Sequence, residues 1–78
     1  MSKILMYGTP TCGDCVLAKQ VFAENNVDYE DIDISNDEAA TKKAIELNNG
    51  MRRIPVIVFE DKSILVEPNR EEIMAKLG

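Results

Sequence analysis

The chain has 78 residues, of which 9 are basic and 14 acidic, so its formal net charge is −5. This length predicts one domain with a small core, and the acidic balance argues against nucleic-acid binding, which needs a basic face. The absence of histidine excludes a Cys/His catalytic pair and a Cys/His zinc site. No run approaches the roughly 20 apolar residues of a membrane helix, so we expect no membrane association.

The two cysteines also bear on the compartment. Two are too few for a small secreted scaffold held together by disulfides. The first apolar run is too short for the hydrophobic region of a signal peptide. We therefore expect a cytoplasmic protein, and in a reducing compartment a C-x-x-C motif is more often catalytic or metal-binding than structural.

Apolar spacing and turn residues predict seven elements in the order β-α-β-α-β-β-α. The predicted strands cover residues 3–7, 29–34, 55–59 and 64–66, and the predicted helices cover residues 15–25, 37–48 and 70–77. The first two strands should be parallel because a helix joins them, and the last two antiparallel because a tight turn joins them. The sequence predicts a single α/β domain over residues 1–78, with a mixed four-stranded sheet and helices on both faces.

Polar residues mark the ends of the predicted helices. Residues 35–38 (Ser-Asn-Asp-Glu) have the form of a capping box, as does Asn69 with Glu72. Asparagine tolerates the left-handed conformation that closes many helices, so residues 25–26 should end the first helix and residues 48–50 the second.

The C-x-x-C motif, Cys12-Gly13-Asp14-Cys15, lies between the first strand and the first helix. A C-x-x-C in this context indicates thiol–disulfide chemistry. The thiolate is the nucleophile, and a helix N-terminus favours it through unpaired N–H groups and the positive end of the dipole. We therefore expect Cys12 to be the more reactive and more exposed thiol. Gly13 should permit a tight chain path, while Asp14 suits the helix dipole and partly opposes thiolate formation.

A family resemblance is carried by residues spread over essentially the whole chain. They are Tyr7, the motif at residues 12–15, Tyr29-Glu30, Asp33-Ile34 and Arg53-Ile54-Pro55-Val56. With them the chain resembles the glutaredoxins, which belong to the thioredoxin-fold superfamily. Asn49-Gly50, the strand near residues 63–65 and Pro68 look closest to the short mycoredoxin-like members.

The resemblance implies roles for individual residues. Cys12 takes the nucleophile position, Cys15 the resolving position and Pro55 the position of the family's cis-proline beside the active site. Ile54 offers its backbone to an extended thiol substrate, like an added strand. Thr11, Gly13 and Asp14 complete the expected substrate-binding set around the cysteines.

Two arginines, Arg52 and Arg53, precede Pro55 in an otherwise acidic chain. One interpretation is an anion clamp for the carboxylates of a thiol cofactor, with Arg53 as the binding residue. The other is an ordinary solvated pair of loop charges. The sequence leaves both interpretations open.

Two departures from the family pattern concern the choice of small thiol. Many glutathione-using members carry Gly-Gly and an aspartate after the fourth strand, where this chain has Val66-Glu67-Pro68-Asn69. Many also carry a lysine shortly before the first cysteine, where this chain has Gly8-Thr9-Pro10-Thr11. The co-substrate implied is therefore glutathione or a mycothiol-like thiol.

The function implied by the resemblance is a dithiol–disulfide oxidoreductase that reduces protein disulfides or protein–small-thiol mixed disulfides. It would be a monomer with no resident metal or tightly bound cofactor, reduced by a small thiol or by a flavoenzyme of the thioredoxin-reductase type. One alternative is an iron–sulfur glutaredoxin, in which two chains each supply Cys12, and Gly13 is compatible with it. Another is a redoxin that donates electrons to ribonucleotide reductase. A third alternative, a structural zinc site, is disfavoured because it needs about four ligands, which this chain could supply only as a dimer.

Overall fold

A computed structural model describes residues 3–77. The elements are β1 (Ile4–Gly8), α1 (Gly13–Glu24), β2 (Tyr29–Asp33), α2 (Glu38–Leu47), β3 (Val56–Val58), β4 (Ile64–Val66) and α3 (Arg70–Leu77). The predicted order is confirmed: β4 and α3 have the predicted bounds, and the other elements differ from prediction by at most two residues at either end. The predicted third strand is shortened at both ends. Pro55 has no N–H to donate to a ladder, and the β3–β4 turn already begins at Phe59, whose carbonyl accepts the Lys62 N–H at 2.8 Å.

The four strands form one mixed sheet in the order β2-β1-β3-β4. β1 and β2 are parallel, with Ile4 opposite Tyr29 and Gly8 opposite Asp33. β3 is antiparallel to both β1 and β4. This confirms the predicted strand directions and places two strands, β1 and β3, in the centre of the sheet.

Helices cover both faces of the sheet, and each face has its own apolar cluster. On one face α1 and α3 contribute Ala18, Val21, Phe22 and Ile73. On the other face Ala44 of α2 packs in a cluster with Tyr7 and Val56. Because successive side chains of a strand point to opposite faces, β1 serves both clusters and is buried throughout most of its length.

The imperfect alternation of the second strand follows from its position at the sheet edge. Ile32 packs in the α2 cluster, whereas Tyr29 lies against Phe22 with ring centroids 4.8 Å apart. On the same face, Asp31 forms an ion pair with Lys19 of α1, with the Lys19 Nζ and the Asp31 Oδ2 3.0 Å apart. An edge strand with charged side chains resists pairing with another chain.

The predicted ends of α1 and α2 are confirmed, with Asn25 and Asn48 as C-caps, whereas one of the two predicted N-terminal capping boxes is confirmed and one is wrong. Asn69 and Glu72 each accept the other's backbone N–H, at 2.8 and 2.9 Å, as a capping box requires. Before α2 the cap is Asp37, whose carboxylate accepts the Ala40 N–H at 3.0 Å. Ser35 instead donates its hydroxyl to Asp33 at 2.6 Å, because the turn after β2 satisfies it locally.

Candidate functional site

The site lies at the end of the sheet where the C-terminal ends of the parallel strands β1 and β2 lie side by side. The two strand ends are joined there by a hydrogen bond in which the Ile34 N–H donates to the Gly8 carbonyl at 2.9 Å. Residues 9–12 then cross this edge and lead directly into α1. The short crossing brings the motif to the start of a helix that packs on the sheet.

Cys12 is itself the N-cap of α1, with φ −79° and ψ 122°. Its Sγ accepts the backbone N–H of Cys15 at 3.3 Å. The helix therefore starts at Gly13, two residues before the predicted start, because the sulfur fills the place that a Ser or Asp side chain usually takes. The unpaired N–H groups and the dipole of α1 both act on this sulfur.

Cys15 lies one helical turn inside and is fully buried, with 0% of its surface exposed. Burial raises the pKa of the Cys15 thiol from 9.0 to about 12, with further contributions from a hydrogen bond to the Cys12 side chain and from the Cys12 charge. Cys12 is only partly buried. The two thiols thus have very different access to solvent, as the sequence predicted.

The burial of Cys15 depends on Gly8, a residue that the sequence reasoning did not single out. A β-carbon on Gly8 would lie 2.5 Å from the Cys15 Sγ and 3.8 Å from the Pro55 Cβ. No real side chain fits at that distance, so residue 8 must be glycine for Cys15 to sit where it does. The signal in the sequence was a glycine ending an apolar strand next to the motif.

The expected role of Gly13 is wrong. Its backbone is helical, it does not have a positive φ, and a β-carbon there would meet nothing within 4 Å. The chain makes its turn at residues 9–12, before the helix. Gly13 leaves open space beside Cys12 and is not required by the backbone path.

Pro55 and Ile54 form the opposite side of the site. The Ile54–Pro55 peptide bond is cis, which confirms the geometry implied by the resemblance. Pro55 is fully buried, and the Ile54 carbonyl lies 4.0 Å from the Cys12 Sγ. The tertiary structure therefore brings together residues 42 positions apart in the chain.

The two arginines diverge. Arg52 lines an open cavity at the start of α2 together with Ile34, Asp37 and Lys42. Arg53 points to the segment after β4, where its Nη1 lies 3.8 Å from the Glu67 Oε2. The sequence left open whether the two form an anion clamp or a solvated pair of loop charges, and the structure places them in different surroundings.

The remaining expected site residues are at the surface. Thr11 and Asp14 are exposed. Among residues 3–77 no group of three or more histidine, cysteine, aspartate or glutamate side chains could hold a metal ion. Within the same residues, no helix is both long and apolar enough to span a membrane.

The sheet order, the cis-proline and a dithiol at a helix start define a protein of thioredoxin-like fold. The family model for glutaredoxins matches residues 4–64. A glutaredoxin-family protein of Mycobacterium tuberculosis is 34% identical over 74 residues, which are 95% of this chain and 88% of that protein. Mycoredoxin 1 of Corynebacterium glutamicum is 30% identical over 78 residues, which are 99% and 95% of the two chains.

Among solved structures, the glutaredoxin of Archaeoglobus fulgidus superposes with a TM-score of 0.79 at 27% identity, covering 99% of this chain and 87% of that one. The chain therefore belongs to the glutaredoxin family. The resemblance to mycoredoxin-like members is confirmed by the similarity to mycoredoxin 1.

Proposed function

We propose that this protein is a dithiol–disulfide oxidoreductase that reduces protein disulfides and protein–small-thiol mixed disulfides through Cys12 and Cys15. The observation that carries the proposal is the asymmetry of the two sulfurs. The Cys12 Sγ is partly accessible and accepts a helix N-terminal N–H, whereas Cys15 is fully buried 3 residues later. One sulfur is thus placed to meet a substrate and the other to meet only the first sulfur.

The first step is attack by the Cys12 thiolate on one sulfur of the substrate disulfide. A Cys12–substrate disulfide forms and the other substrate sulfur leaves as a thiolate. In the second step the Cys15 thiol gives its proton to the substrate thiolate released in the first step and attacks the Cys12 Sγ. The Cys12–Cys15 disulfide forms, the second substrate thiolate leaves, and two electrons have passed to the substrate.

The surroundings of Cys15 fit this order of events. While Cys12 is free, its hydrogen bond and its charge both add to the burial that keeps the pKa of Cys15 high. Formation of the mixed disulfide removes the charge on Cys12 and weakens its hydrogen bond. Cys15 therefore loses its proton more easily after the Cys12–substrate disulfide has formed than before. In the free enzyme Cys15 stays protonated and does not react.

The proline side of the site, defined as residues 53–55 and 67–68, supplies the substrate contacts in this proposal. The Ile54 backbone meets the extended thiol substrate, next to Cys12. Arg53, exposed on the same segment, is the cation that a carboxylate of a small thiol would meet on this side of the site. Thr11, Gly13 and Asp14 flank the reacting sulfur. The partners are disulfide-containing proteins and a glutathione- or mycothiol-like thiol or a flavoenzyme reductase, in the cytoplasm.

Serine variants of the two cysteines test the proposal. Cys12→Ser should lose activity on both a peptide disulfide and a peptide–glutathione mixed disulfide. Serine is a good N-cap, so α1 should persist and circular dichroism should be unchanged. Cys15→Ser should keep mixed-disulfide activity and lose peptide-disulfide activity, since only the latter needs an internal resolving thiol. Activity retained in Cys12→Ser would overturn the mechanism.

A second experiment identifies the reductant. The Cys12–Cys15 disulfide form is mixed separately with glutathione, with mycothiol, and with NADPH plus thioredoxin reductase, and the appearance of free thiol is followed. Reduction by a small thiol at millimolar concentration supports a glutaredoxin or mycoredoxin role. Reduction by the flavoenzyme alone would instead place the protein among redoxins that serve a reductase.

A further inference from the structure

A carboxylate of this chain lies beside Arg53, where the proposed function puts the carboxylate of a small thiol. The Glu67 Oε2 is 3.8 Å from the Arg53 Nη1, and the two side chains are 40% and 58% exposed. The pair is open to solvent, so a substrate can reach it. A substrate carboxylate would meet an arginine that already has an anionic neighbour.

The main chain holds Glu67 against the proline side of the site. Its N–H donates to the Pro55 carbonyl at 3.0 Å, and the next residue, Pro68, is fully buried. Since Ile54 contacts the Cys12 sulfur and Pro55 follows it, Glu67 is one backbone hydrogen bond away from the segment beside the nucleophile. The backbone of Glu67 is thus fixed on this side of the site, and its side chain starts within reach of Arg53.

The backbone conformation at Glu67 is unfavourable for glutamate. Its φ is 49°, in the left-handed region. The other described non-glycine residues with positive φ are Asn26 and Asn49, which follow helices, and Lys62, in the turn after β3. Asparagine adopts this conformation readily, whereas for glutamate it is energetically unfavourable and glycine would adopt it without that cost. Such an outlier beside a site is a reason to look for a function in its side chain.

We propose that Glu67 is a specificity-determining residue. It neutralises Arg53 in the free protein and selects against small thiols whose end on the proline side is a carboxylate, in favour of neutral or cationic ones. An anionic thiol must displace Glu67 from Arg53 and lie beside its charge, whereas an ammonium group would be attracted. The inference rests on the proposed function, because it concerns the small thiol bound next to Cys12.

The test uses one peptide carrying three different mixed disulfides. The small thiols are 3-mercaptopropionate, 2-mercaptoethanol and cysteamine, which are anionic, neutral and cationic at pH 7 and of similar size. Wild type should show the highest KM with the anionic thiol. Glu67→Gln should lower that KM about two- to fivefold, as befits a partly exposed charge pair. It should leave the neutral thiol unchanged, raise the KM of the cationic one, and alter kcat little.

Two further variants serve as controls. Glu60→Gln makes the same change in net charge at the opposite end of β3, next to the β3–β4 turn, and should leave the order of KM values unchanged. Glu67→Gly removes the carboxylate and relieves the positive φ, so it should fold at least as well as wild type and behave as Glu67→Gln.

The outcomes separate this inference from the function on which it rests. If the mixed disulfides are reduced but wild type and Glu67→Gln show the same KM for all three, the specificity role is overturned and the oxidoreductase stands. If Glu60→Gln shifts KM as much as Glu67→Gln, the effect is one of net charge and the role is likewise overturned. If wild type reduces no mixed disulfide, the oxidoreductase itself falls.

Discussion

On the cysteine side of the site, residues 8–15, the positions of both sulfurs follow from contacts within eight consecutive residues. Cys12 caps the helix that Cys15 belongs to, and Gly8 leaves room for the Cys15 sulfur. On the proline side, Pro55 and Glu67 meet through a hydrogen bond between distant segments. One side is built by local geometry and the other by the packing of the sheet. Substitutions on the first should change chemistry and stability, and those on the second should change substrate choice.

The largest effect on the cysteine side is expected from Gly8→Ala. The new β-carbon would have to push the Cys15 sulfur away, and forced overpacking in a core costs about 1–3 kcal/mol of unfolding free energy. The displaced thiol should also become accessible to iodoacetamide. Urea unfolding and mass-spectrometric labelling measure the two effects.

The matched control is the same substitution at the other glycine of this side. Gly13 is helical with open space around it, so Gly13→Ala should be neutral or stabilising by up to about 1 kcal/mol. Equal destabilisation by the two substitutions would contradict the assignment of Gly8 as the residue that seats Cys15.

The second expected effect is a loss of stability at alkaline pH that depends on Cys15. Its pKa is raised from 9.0 to about 12 in the folded protein, so above pH 9 the unfolded chain releases this proton first. Unfolding is therefore favoured as pH rises from about 9 towards 12, and the stabilising contribution is complete only below pH 9. Urea unfolding of the reduced protein at pH 8, 9 and 10 should show this fall.

Cys15→Ala removes this contribution and is the reference for the measurement. Burial also raises the pKa of Tyr7, but Tyr7 is present in both proteins, so its effect cancels in the difference. A difference in unfolding free energy that stays constant from pH 8 to 10 would show that the Cys15 thiol does not hold its proton as strongly as its burial indicates.

On the proline side, Arg53→Ala should raise KM for an anionic mixed disulfide about two- to fivefold, since an exposed ion pair is worth about 0–1 kcal/mol. Arg52→Ala is the control, because Arg52 faces the cavity at the start of α2 instead, and its effect should be smaller. Added salt should reduce the Arg53 effect by screening it. An unchanged KM in Arg53→Ala at low salt would leave Arg53 as a solvated loop charge.

The smallest effect is expected from Asp14→Asn. Removing an exposed anion next to the nucleophile should raise the rate of Cys12 alkylation at pH 7. Losing its favourable interaction with the dipole of α1 should cost about 0.3–1 kcal/mol of stability. Alkylation quenched at a series of times measures the effect on Cys12, and thermal melting measures the effect on stability. An unchanged alkylation rate with a lowered Tm would mean that Asp14 stabilises the helix without affecting the thiol.

Local sequence signals predicted the parts of this protein that depend on neighbouring residues. The apolar runs gave the order of elements, Asn69 with Glu72 gave the cap of α3, and the motif gave the two cysteines. These succeed because strand alternation, helix periodicity and capping are properties of a few consecutive residues. The misplaced start of α1 shows the limit even here, since a cysteine is an uncommon cap.

The tertiary structure alone decided how distant segments meet at the sheet edge. It set the divergence of Arg52 from Arg53, the approach of Ile54 to the Cys12 sulfur and the left-handed backbone at Glu67. Each depends on which groups lie opposite after the sheet has formed in the order β2-β1-β3-β4. A sequence specifies the residue types available for such contacts, but only the packed sheet brings residues 8, 15, 55 and 67 to one edge.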